Sequence, residues 1–423
     1  MTPCAVILAG GRGTRSADPN TPKISHLIGG KSLLQWQFDL IQDTSIDTVF
    51  VVTGFLGDEV KILCDSADST GLNVHVIHEQ APSGTVNALK LVLSHTEHRQ
   101  FLVLLGDVLS LFPVAEFFSA FSESGKNTGV VVHPSTHPND SDTVFASHSG
   151  AVRVYPKGTP SKFTPNMASA GVFAVARDAL TLYAKAQDIG SDLLLMASHE
   201  NDLFIMNSSF YFKDTGTHER LQSARLDYDG GAARRRGSNT SRPGLLLDRD
   251  GVINSVTPEV YLAEDYQVLP GVGEAIREVN SIGIPVMVVT NQPGIAKGYM
   301  TFEEHERIRA AMDEQLGNKG AFVDDYFFCP HHPDGGFENE IAELKINCEC
   351  RKPAPGMALD LARSHKIDLT KSVLIGDTAR DQGLAEQVGA KFLHVTTDCS
   401  LAEKHECFDS TPLAIESALV ILS

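Results

Sequence analysis

The chain of 423 residues is short of positive charge. Its 35 lysines and arginines stand against 53 aspartates and glutamates, which gives a net charge of −18. This acidity argues against binding of nucleic acid or of an anionic membrane, because both need basic side chains. No apolar run approaches the roughly 18 residues that cross a bilayer, so we expect no transmembrane helix. The first residues lack a basic segment and reach glycine too early for a signal peptide, which favours a cytoplasmic protein.

Cysteine is scarce and odd in number, with seven residues of which three are crowded between 329 and 350. Such a count favours a reducing compartment and a metal site over a framework of disulfides. The other four cysteines have no comparable neighbours, so we expect them to be buried or incidental. They are Cys4, Cys64, Cys399 and Cys407.

Short apolar runs alternate with amphipathic stretches of helical length. Continuous apolar strands joined by helices are typical of parallel sheets in α/β proteins. The runs cover residues 5–9, 49–52, 101–105, 129–132, 245–247, 285–289, 373–375 and 391–395, and the helical stretches include 32–41, 301–316 and 356–365. Because ligands bind at the carboxyl ends of such strands, the polar residues that follow each run are the candidate site residues.

Residues 226–243 interrupt this alternation, with few large apolar side chains and many loop formers. We interpret them as a linker. The length allows two or three domains, and the pattern predicts two tandem Rossmann-like α/β domains at residues 1–225 and 244–423.

Glycines and cations follow the first predicted strand. Gly10, Gly11 and Gly13 would let backbone N–H groups approach phosphates, and Arg15 and Lys23 would add the charge that a triphosphate needs. Their spacing fits neither the dinucleotide-binding pattern nor the P-loop. The alternative is a glycine turn that serves only the path of the chain.

Two later aspartates extend this candidate site. Asp107 follows the run at 101–105, and Asp214 precedes a Thr-Gly-Thr segment. Carboxylates from separate strands suit Mg²⁺ on a triphosphate. Each aspartate taken singly is more often a cap or turn residue, so the prediction depends on the set.

Together these residues resemble the signature of sugar-1-phosphate nucleotidyltransferases, over about the first 225 residues. The matching segments are 8–15 with Lys23, 84–85, 106–107 and 214–217. The resemblance implies that a sugar phosphate attacks the α-phosphorus of a nucleoside triphosphate and that pyrophosphate leaves. It implies charge stabilisation by Arg15, Lys23 and Mg²⁺. It also assigns Gly84 and Thr85 to substrate binding, and Lys157 to a phosphate or sugar contact.

Two aspartates one residue apart follow the run at 245–247. Asp248 can attack a phosphoryl group as a carboxylate nucleophile, and Asp250 can protonate the leaving oxygen and then activate water. A bare pair of this kind can equally be two solvated turn residues.

Later strand ends and loops favour the catalytic interpretation. They offer hydrogen-bond donors for a phosphoryl oxygen, cations for the transferring group and further carboxylates for Mg²⁺, which lets an anionic nucleophile approach an anionic phosphate. These residues are Thr290 and Asn291, Arg351 and Lys352, and Asp377 and Asp381.

Cys329, His331, Cys348 and Cys350 supply four ligands in two clusters. This pattern is typical of a closed tetrahedral Zn²⁺ site. Buried cysteines without a metal are the alternative. We expect a structural site that holds the loop carrying the two cations.

The ordered set over 244–423 resembles the haloacid dehalogenase superfamily of phosphatases. Within it, the chain closely resembles D-glycero-D-manno-heptose-1,7-bisphosphate phosphatases, and histidinol-phosphate phosphatases are the alternative. The resemblance implies that Mg²⁺ is held by Asp248, the backbone carbonyl of Asp250, and Asp377.

The same resemblance implies substrate recognition by Asn291 and Arg351, and stabilisation of the phosphoryl group by Thr290 and Lys352. The two halves would then catalyse consecutive steps. The phosphatase would leave heptose 1-phosphate, and the transferase would join it to a nucleotide, GTP by the logic of the pathway, giving GDP-D-glycero-α-D-manno-heptose. Two alternatives stay open: a histidinol-phosphate phosphatase fused to a transferase for another sugar, and a binding or regulatory protein with one degenerate half. Nothing in the sequence points to an oligomeric state.

Overall fold

A computed structural model describes residues 3–11, 21–135, 141–148, 150–158, 164–237, 240–256, 259–396 and 406–423. Contacts divide the chain into two units, with the main boundary between residues 237 and 238. The short described segments 134–135 and 164–166 group with the second unit.

The first unit is an α/β structure whose apolar runs form strands as predicted. Its strands are β1 Cys4–Ala9, β2 Leu27–Ile28, β3 Lys31–Ser32, β4 Thr48–Thr53, β5 Asn73–His78, β6 Gln100–Leu105, β7 Val108–Leu111, β8 Thr128–His133, β9 Thr143–Ala146, β10 Val152–Tyr155, β11 Ala168–Ala176, β12 Leu203–Asn207 and β13 Tyr211–Asp214. Its helices are α1 Leu33–Gln42, α2 Gly57–Ser66, α3 Thr85–Leu93, α4 Val114–Ser124, α5 Ala179–Leu182, α6 Leu194–His199, α7 His218–Asp229 and α8 Ala232–Gly237.

A nine-stranded mixed sheet forms the centre of this unit. Strand β1 lies between β4 and β6 and pairs in parallel with both, whereas β11 runs antiparallel to β6 and β8. Alternate residues of β1 face two separate cores, with Ala5 and Ile7 in one and Cys4 and Val6 in the other. Burial on both faces explains why the strand is a continuous apolar run.

The second unit has a six-stranded sheet with every pair parallel, in the order β16-β15-β14-β17-β18-β19. The strands are β14 Leu245–Leu247, β15 Val286–Asn291, β16 Asp325–Cys329, β17 Val373–Gly376, β18 Lys391–Val395 and β19 Glu406–Phe408. The helices are α9 Val272–Ser281, α10 Pro293–Ala296, α11 Phe302–Gly317, α12 Gly356–His365, α13 Ala379–Val388 and α14 Thr411–Leu422. Strand β14 is central, so the residues that follow it lie between the ends of β15 and β17.

The segment 226–243 is mostly helical, although its composition indicates a loop. Helices α7 and α8 extend to residue 237, which the contacts assign to the first unit. Ala233 is fully buried in its core, and Arg236 is 6% exposed and donates to the carbonyl of Ser209. Alanine and arginine are strong helix formers, a property that a search for large apolar residues overlooks.

Candidate active sites

The phosphatase-like site lies where three neighbouring strands end. Asp248 directly follows β14, Thr290 and Asn291 end β15, and Asp377 directly follows β17. The carboxyl ends of parallel strands meet at one edge of a sheet. Residues far apart in the sequence are therefore brought together, as predicted.

Lys352 joins two carboxylates at the centre of this site. Its Nζ lies 2.8 Å from Asp248 Oδ2 and 2.5 Å from Asp381 Oδ1. Both Lys352 and Asp381 are almost wholly buried. Burial works to lower the pKa of Lys352, but the two carboxylates outweigh it and raise that pKa. The lysine therefore stays charged beside the candidate nucleophile.

Three carboxylates lie close enough together to hold one cation. Oxygens of Asp248, Asp377 and Asp381 all lie within 4.8 Å of one another. Burial and the repulsion from Asp381 raise the pKa of Asp377 to about 6, and burial also raises the pKa of Asp248. A hard divalent ion would relieve both effects, so this donor set fits Mg²⁺.

Gly251 is required by the close approach of Asp377. Its φ of +82° lies in the left-handed region, and a Cβ there would come 2.0 Å from Asp377 Oδ2. The backbone after Asp250 can therefore lie against the carboxylate.

Asn291 and Arg351 bond within the protein. Asn291 accepts from the backbone N–H of Lys352 at 2.9 Å and donates to its carbonyl at 3.1 Å, so it fixes the lysine. Arg351 donates to the carbonyl of His331 at 3.0 Å. Their expected contacts with substrate stay predictions.

Asp250 is held by a neighbour that the sequence argument overlooked. Arg249 donates to both of its oxygens, at 2.9 and 2.8 Å, and Gln292 donates at 2.8 Å. Burial works to raise the pKa of Asp250, but these donors prevail and lower it. The signal available was the arginine inside the Asp-Arg-Asp run, and it could have been noticed.

The cysteine and histidine cluster forms a candidate metal centre. Cys329 Sγ lies 3.6 Å from His331 Nδ1 and 3.6 Å from Cys348 Sγ. Cys350 Sγ lies 3.2 Å from the same Nδ1 and 3.3 Å from Cys348 Sγ. Ligands at tetrahedral corners around zinc would be roughly 3.5–3.8 Å apart, so the four predicted side chains are arranged as a metal site.

The cysteines outside the cluster differ in their chemical state. Cys407, which precedes Phe408 on the edge strand β19, is disulfide-bonded, which the sequence argument did not foresee. Cys4 and Cys64 are buried free thiols, as expected, and Cys399 lies outside the described residues. The partner of a single disulfide is set by the fold, which spacing along the sequence does not reveal.

The first unit has a cavity of about 340 Å³ at the end of β1. It is lined by glycines, apolar side chains and a few charged groups: Leu8, Ala9, Gly10, Gly11, Thr21, Pro22, Lys23, Ile24, Val52, Phe55, Leu56, Glu79, Pro82, Gly84, Thr85, Ala88, Leu105, Gly106, Asp107 and Asp188. The cavity therefore gathers six of the predicted residues. Gly13 and Arg15 lie outside the described residues.

Lys23 and Asp107 form an ion pair on the wall of this cavity, at 2.9 Å. The side chains are 16% and 34% exposed. Asp214 is near, because a Cβ on Gly216 would lie 2.8 Å from Asp214 Oδ1 and 3.4 Å from Asp107 Oδ2. Asp214 also accepts from Arg220. The two predicted carboxylates thus lie on either side of a glycine that leaves room between them.

The glycine-threonine loop is bonded to a second segment. Thr85 Oγ1 donates to Asp188 at 2.9 Å and accepts from the N–H of Ile189 at 2.7 Å. Thr85 therefore also positions Asp188, which lines the cavity and which sequence reasoning missed. Lys157 is exposed and is not among the described residues that line the cavity; its contact with substrate stays a prediction.

None of the helices within the described ranges is long and apolar enough to span a bilayer.

Comparison with known proteins finds matches to two separate parts of the chain. Residues 4–230 match the family model described as nucleotidyl transferase, and residues 349–417 match one described as HAD-hydrolase-like. The D-glycero-beta-D-manno-heptose-1,7-bisphosphate 7-phosphatase of Yersinia pestis is 40% identical over 155 residues, which are 36% of this chain and 80% of that protein.

Two solved structures are also similar to parts of the chain. One is D,D-heptose 1,7-bisphosphate phosphatase from B. bronchiseptica with magnesium and phosphate, 32% identical with a TM-score of 0.37, covering 42% of this chain and 98% of that one. The other is HddC from Yersinia pseudotuberculosis with GMP-PN, 20% identical with a TM-score of 0.44, covering 54% of this chain and 100% of that one.

Proposed function

The chain belongs to the nucleotidyl transferase family and, through its second half, to the D-glycero-beta-D-manno-heptose-1,7-bisphosphate 7-phosphatases, and from this premise we propose that it catalyses two consecutive steps. It is an enzyme with a phosphatase domain and a nucleotidyltransferase domain. The proposed substrate of the second half is D-glycero-D-manno-heptose 1,7-bisphosphate, and its product, heptose 1-phosphate, is the proposed acceptor in the first half. The product would be GDP-D-glycero-α-D-manno-heptose.

The observation that carries the phosphatase half is the contact of Lys352 with Asp248 and Asp381. Asp248 attacks the C7 phosphorus and the bond to the C7 oxygen breaks. That oxygen takes a proton from Asp250, which later removes one from the water that releases phosphate. Lys352 balances the negative charge that gathers around the transferring group.

We propose Mg²⁺ for the oxygen ligands of both halves and Zn²⁺ for the thiol cluster. Asp248, Asp377 and the backbone carbonyl of Asp250 would hold Mg²⁺ in the phosphatase, and Asp107 and Asp214 in the transferase. Bound there, Mg²⁺ would offset the charge of the phosphates. Thiol and imidazole ligands at tetrahedral spacing favour zinc.

In the transferase half, the sugar phosphate and the nucleotide supply both reacting groups. An oxygen of heptose 1-phosphate attacks the α-phosphorus, and pyrophosphate leaves. Lys23 would lie against the phosphates, with Gly10 and Gly11 leaving space for their approach. The protein's part is chiefly to position the reactants.

The proposal of GTP is supported by Glu79 on the cavity wall. Its Oε1 accepts from the N–H and the hydroxyl of Ser83, at 3.0 and 2.5 Å, and its Oε2 lies 3.3 Å from the position of a Cβ on Gly10. A carboxylate only accepts hydrogen bonds. Guanine is the common base whose pairing edge offers two adjacent donors, so it complements a carboxylate best.

The test is to incubate the protein with Mg²⁺, heptose 1,7-bisphosphate as the α or the β anomer, and each nucleoside triphosphate in turn, following phosphate and pyrophosphate. We expect phosphate in every mixture and pyrophosphate with GTP. Pyrophosphate with another nucleotide would overturn the choice of base. If neither anomer released phosphate and histidinol phosphate did, the proposal of a heptose substrate would be overturned.

A further inference from the structure

Asp250 is held by more hydrogen bonds than its role in proton transfer requires. Arg249 reaches Oδ1 through Nε at 3.1 Å and Oδ2 through Nη2 at 2.8 Å. Asn254 donates to Oδ1 at 2.9 Å, and Gln292 donates to Oδ2 at 2.8 Å. Three side chains therefore fix one carboxyl group, while 28% of the Asp250 side chain stays exposed and open to a substrate.

Arg249 is buried where an apolar side chain would be less costly. Its side chain is only 2% exposed, and burial of a guanidinium costs several kcal/mol unless its donors are satisfied. Apart from Asp250, its donors reach Tyr326 at 3.3 Å and Gln292 at 3.0 Å. The residue between the two catalytic aspartates therefore points inward and bonds to the second of them.

Gln292 connects the same carboxyl group to the hydroxyl of Thr290. It is 3% exposed, and its Nε2 donates both to Asp250 Oδ2 and to Thr290 Oγ1, the latter at 2.9 Å. Its Oε1 accepts from Arg249. One buried amide thus sets the spacing between the proton donor and the hydroxyl proposed to contact the phosphoryl group.

We propose that Arg249 and Gln292 are positioning residues that hold Asp250 in line with the leaving oxygen of the sugar phosphate. The inference rests on the proposed phosphatase function. As Asp248 bonds to phosphorus and the ester bond breaks, the protonated form of Asp250, which its hydrogen-bond donors make the minor form, passes its proton to the sugar oxygen. An alkyl oxygen needs that proton, whereas a p-nitrophenyl oxygen leaves readily as an anion. Loss of the positioning of Asp250 must therefore slow the reaction of the sugar phosphate more than that of p-nitrophenyl phosphate.

The experiment compares kcat/KM for heptose 1,7-bisphosphate and for p-nitrophenyl phosphate. This ratio covers only the steps up to departure of the leaving group, so later release of phosphate from Asp248 does not enter. The main variant is Gln292→Met, which keeps the side-chain volume and removes all three side-chain hydrogen bonds of Gln292, to Asp250, Thr290 and Arg249. Arg249→Lys keeps the buried positive charge but loses the several hydrogen bonds of the guanidinium group. It is used in place of a neutral variant, which would prevent folding. Asp250→Asn gives the full effect of losing the proton donor.

We expect Gln292→Met and Arg249→Lys to lower kcat/KM for the sugar phosphate about 30-fold, which is less than the roughly 10²–10⁴-fold cost of losing general acid catalysis completely. For p-nitrophenyl phosphate we expect a loss of less than about 3-fold. Gln315→Met is the matched control, because this glutamine bonds to the backbone of Tyr266 and Val268. It should leave the ratio of the two values unchanged.

Equal losses of kcat/KM for both substrates would overturn the proposal. They would mean that Gln292 acts on the phosphoryl group, which both substrates share, or only contributes to packing. Values of kcat/KM equal to those of the wild type in both variants would also overturn it. Failure of the wild-type protein on the heptose would refute the proposed substrate instead. The ratio is then measured with histidinol phosphate, which also has an alkyl leaving group.

Discussion

The two candidate active sites hold their charged side chains in opposite ways. In the phosphatase half, Lys352 is buried between Asp248 and Asp381, with contacts of 2.8 and 2.5 Å. In the transferase half, Lys23 and Asp107 form a single, partly exposed pair at 2.9 Å beside a cavity of about 340 Å³.

The two proposed reactions account for this difference, because a different partner supplies the nucleophile in each. In the proposed phosphatase reaction the protein's own Asp248 attacks, so this nucleophile and its counter-charge must be in place before the substrate arrives. In nucleotidyl transfer both reacting groups belong to the substrates, so the protein supplies room and a few charges. We call the phosphatase site around Asp248, Lys352 and Asp381 the dense site, and the transferase site around Lys23 and Asp107 the open site. The dense site should lose its activity completely when one residue is replaced, and the open site should lose it by degrees.

The substitution Asp248→Asn should have the largest effect. It removes the nucleophile, so phosphate release should fall at least about 10³-fold. Pyrophosphate release from heptose 1-phosphate and GTP should be unchanged, since the residues proposed for that reaction lie in the first unit. Both products are measured on one preparation, with a melting curve as the control for folding. Loss of both activities would contradict independent sites.

Asp107→Ala is the matching change in the open site. It removes one of two proposed Mg²⁺ ligands and the partner of Lys23, so nucleotidyl transfer should fall about 10²-fold with phosphate release intact. Initial rates at several Mg²⁺ concentrations check it, because higher Mg²⁺ should restore part of the rate. Transfer at the wild-type rate would remove Asp107 from the site.

The sequence predicts the dense site better than the open one. Strand ends brought Asp248, Thr290 and Asp377 together as expected, because continuous apolar runs indicate parallel strands and the carboxyl ends of such strands meet at one edge of the sheet. The spacing of Cys348 and Cys350 likewise predicted their cluster. Both predictions came from patterns that are readable locally in the sequence, namely the ends of apolar runs and the spacing of cysteines.

Residues that act through other side chains were overlooked. Gln292 becomes visible only when it is seen to bond to Asp250, whereas Arg249 could have been noticed from its place in the Asp-Arg-Asp run. Asp188 is brought to the cavity by its bond to Thr85, about a hundred residues away in the chain. Such long-range pairs depend on packing, which no local pattern encodes.

Cys348→Ser tests whether the cluster of Cys329, His331, Cys348 and Cys350 is a metal site. Loss of one of four ligands should release the bound ion and destabilise that half by at least about 2 kcal/mol, since binding of a structural metal contributes to folding. Metal content by mass spectrometry and thermal unfolding measure this. Cys64→Ser is the control, because that buried thiol lies in the other unit. Equal metal content in wild type and Cys348→Ser would refute the site.

The smallest effect is expected from Glu79→Gln, which alters recognition in the open site without touching the reacting groups. The amide can accept one hydrogen bond from guanine but opposes the second with a donor of its own. A mismatched pair of this kind costs about 1–3 kcal/mol, so the preference for GTP over the other nucleotides should fall roughly tenfold.

Competition between GTP and each other nucleotide gives that preference as a ratio of kcat/KM values. Ser83→Ala sharpens the result, because it frees Glu79 Oε1 from the hydroxyl bond and keeps the carboxylate, so the preference should persist. A tenfold loss in both variants would mean that the shape of the loop selects the base. A loss in Glu79→Gln alone would assign selection to the carboxylate, and recognition in the open site would then depend on one side chain at its wall.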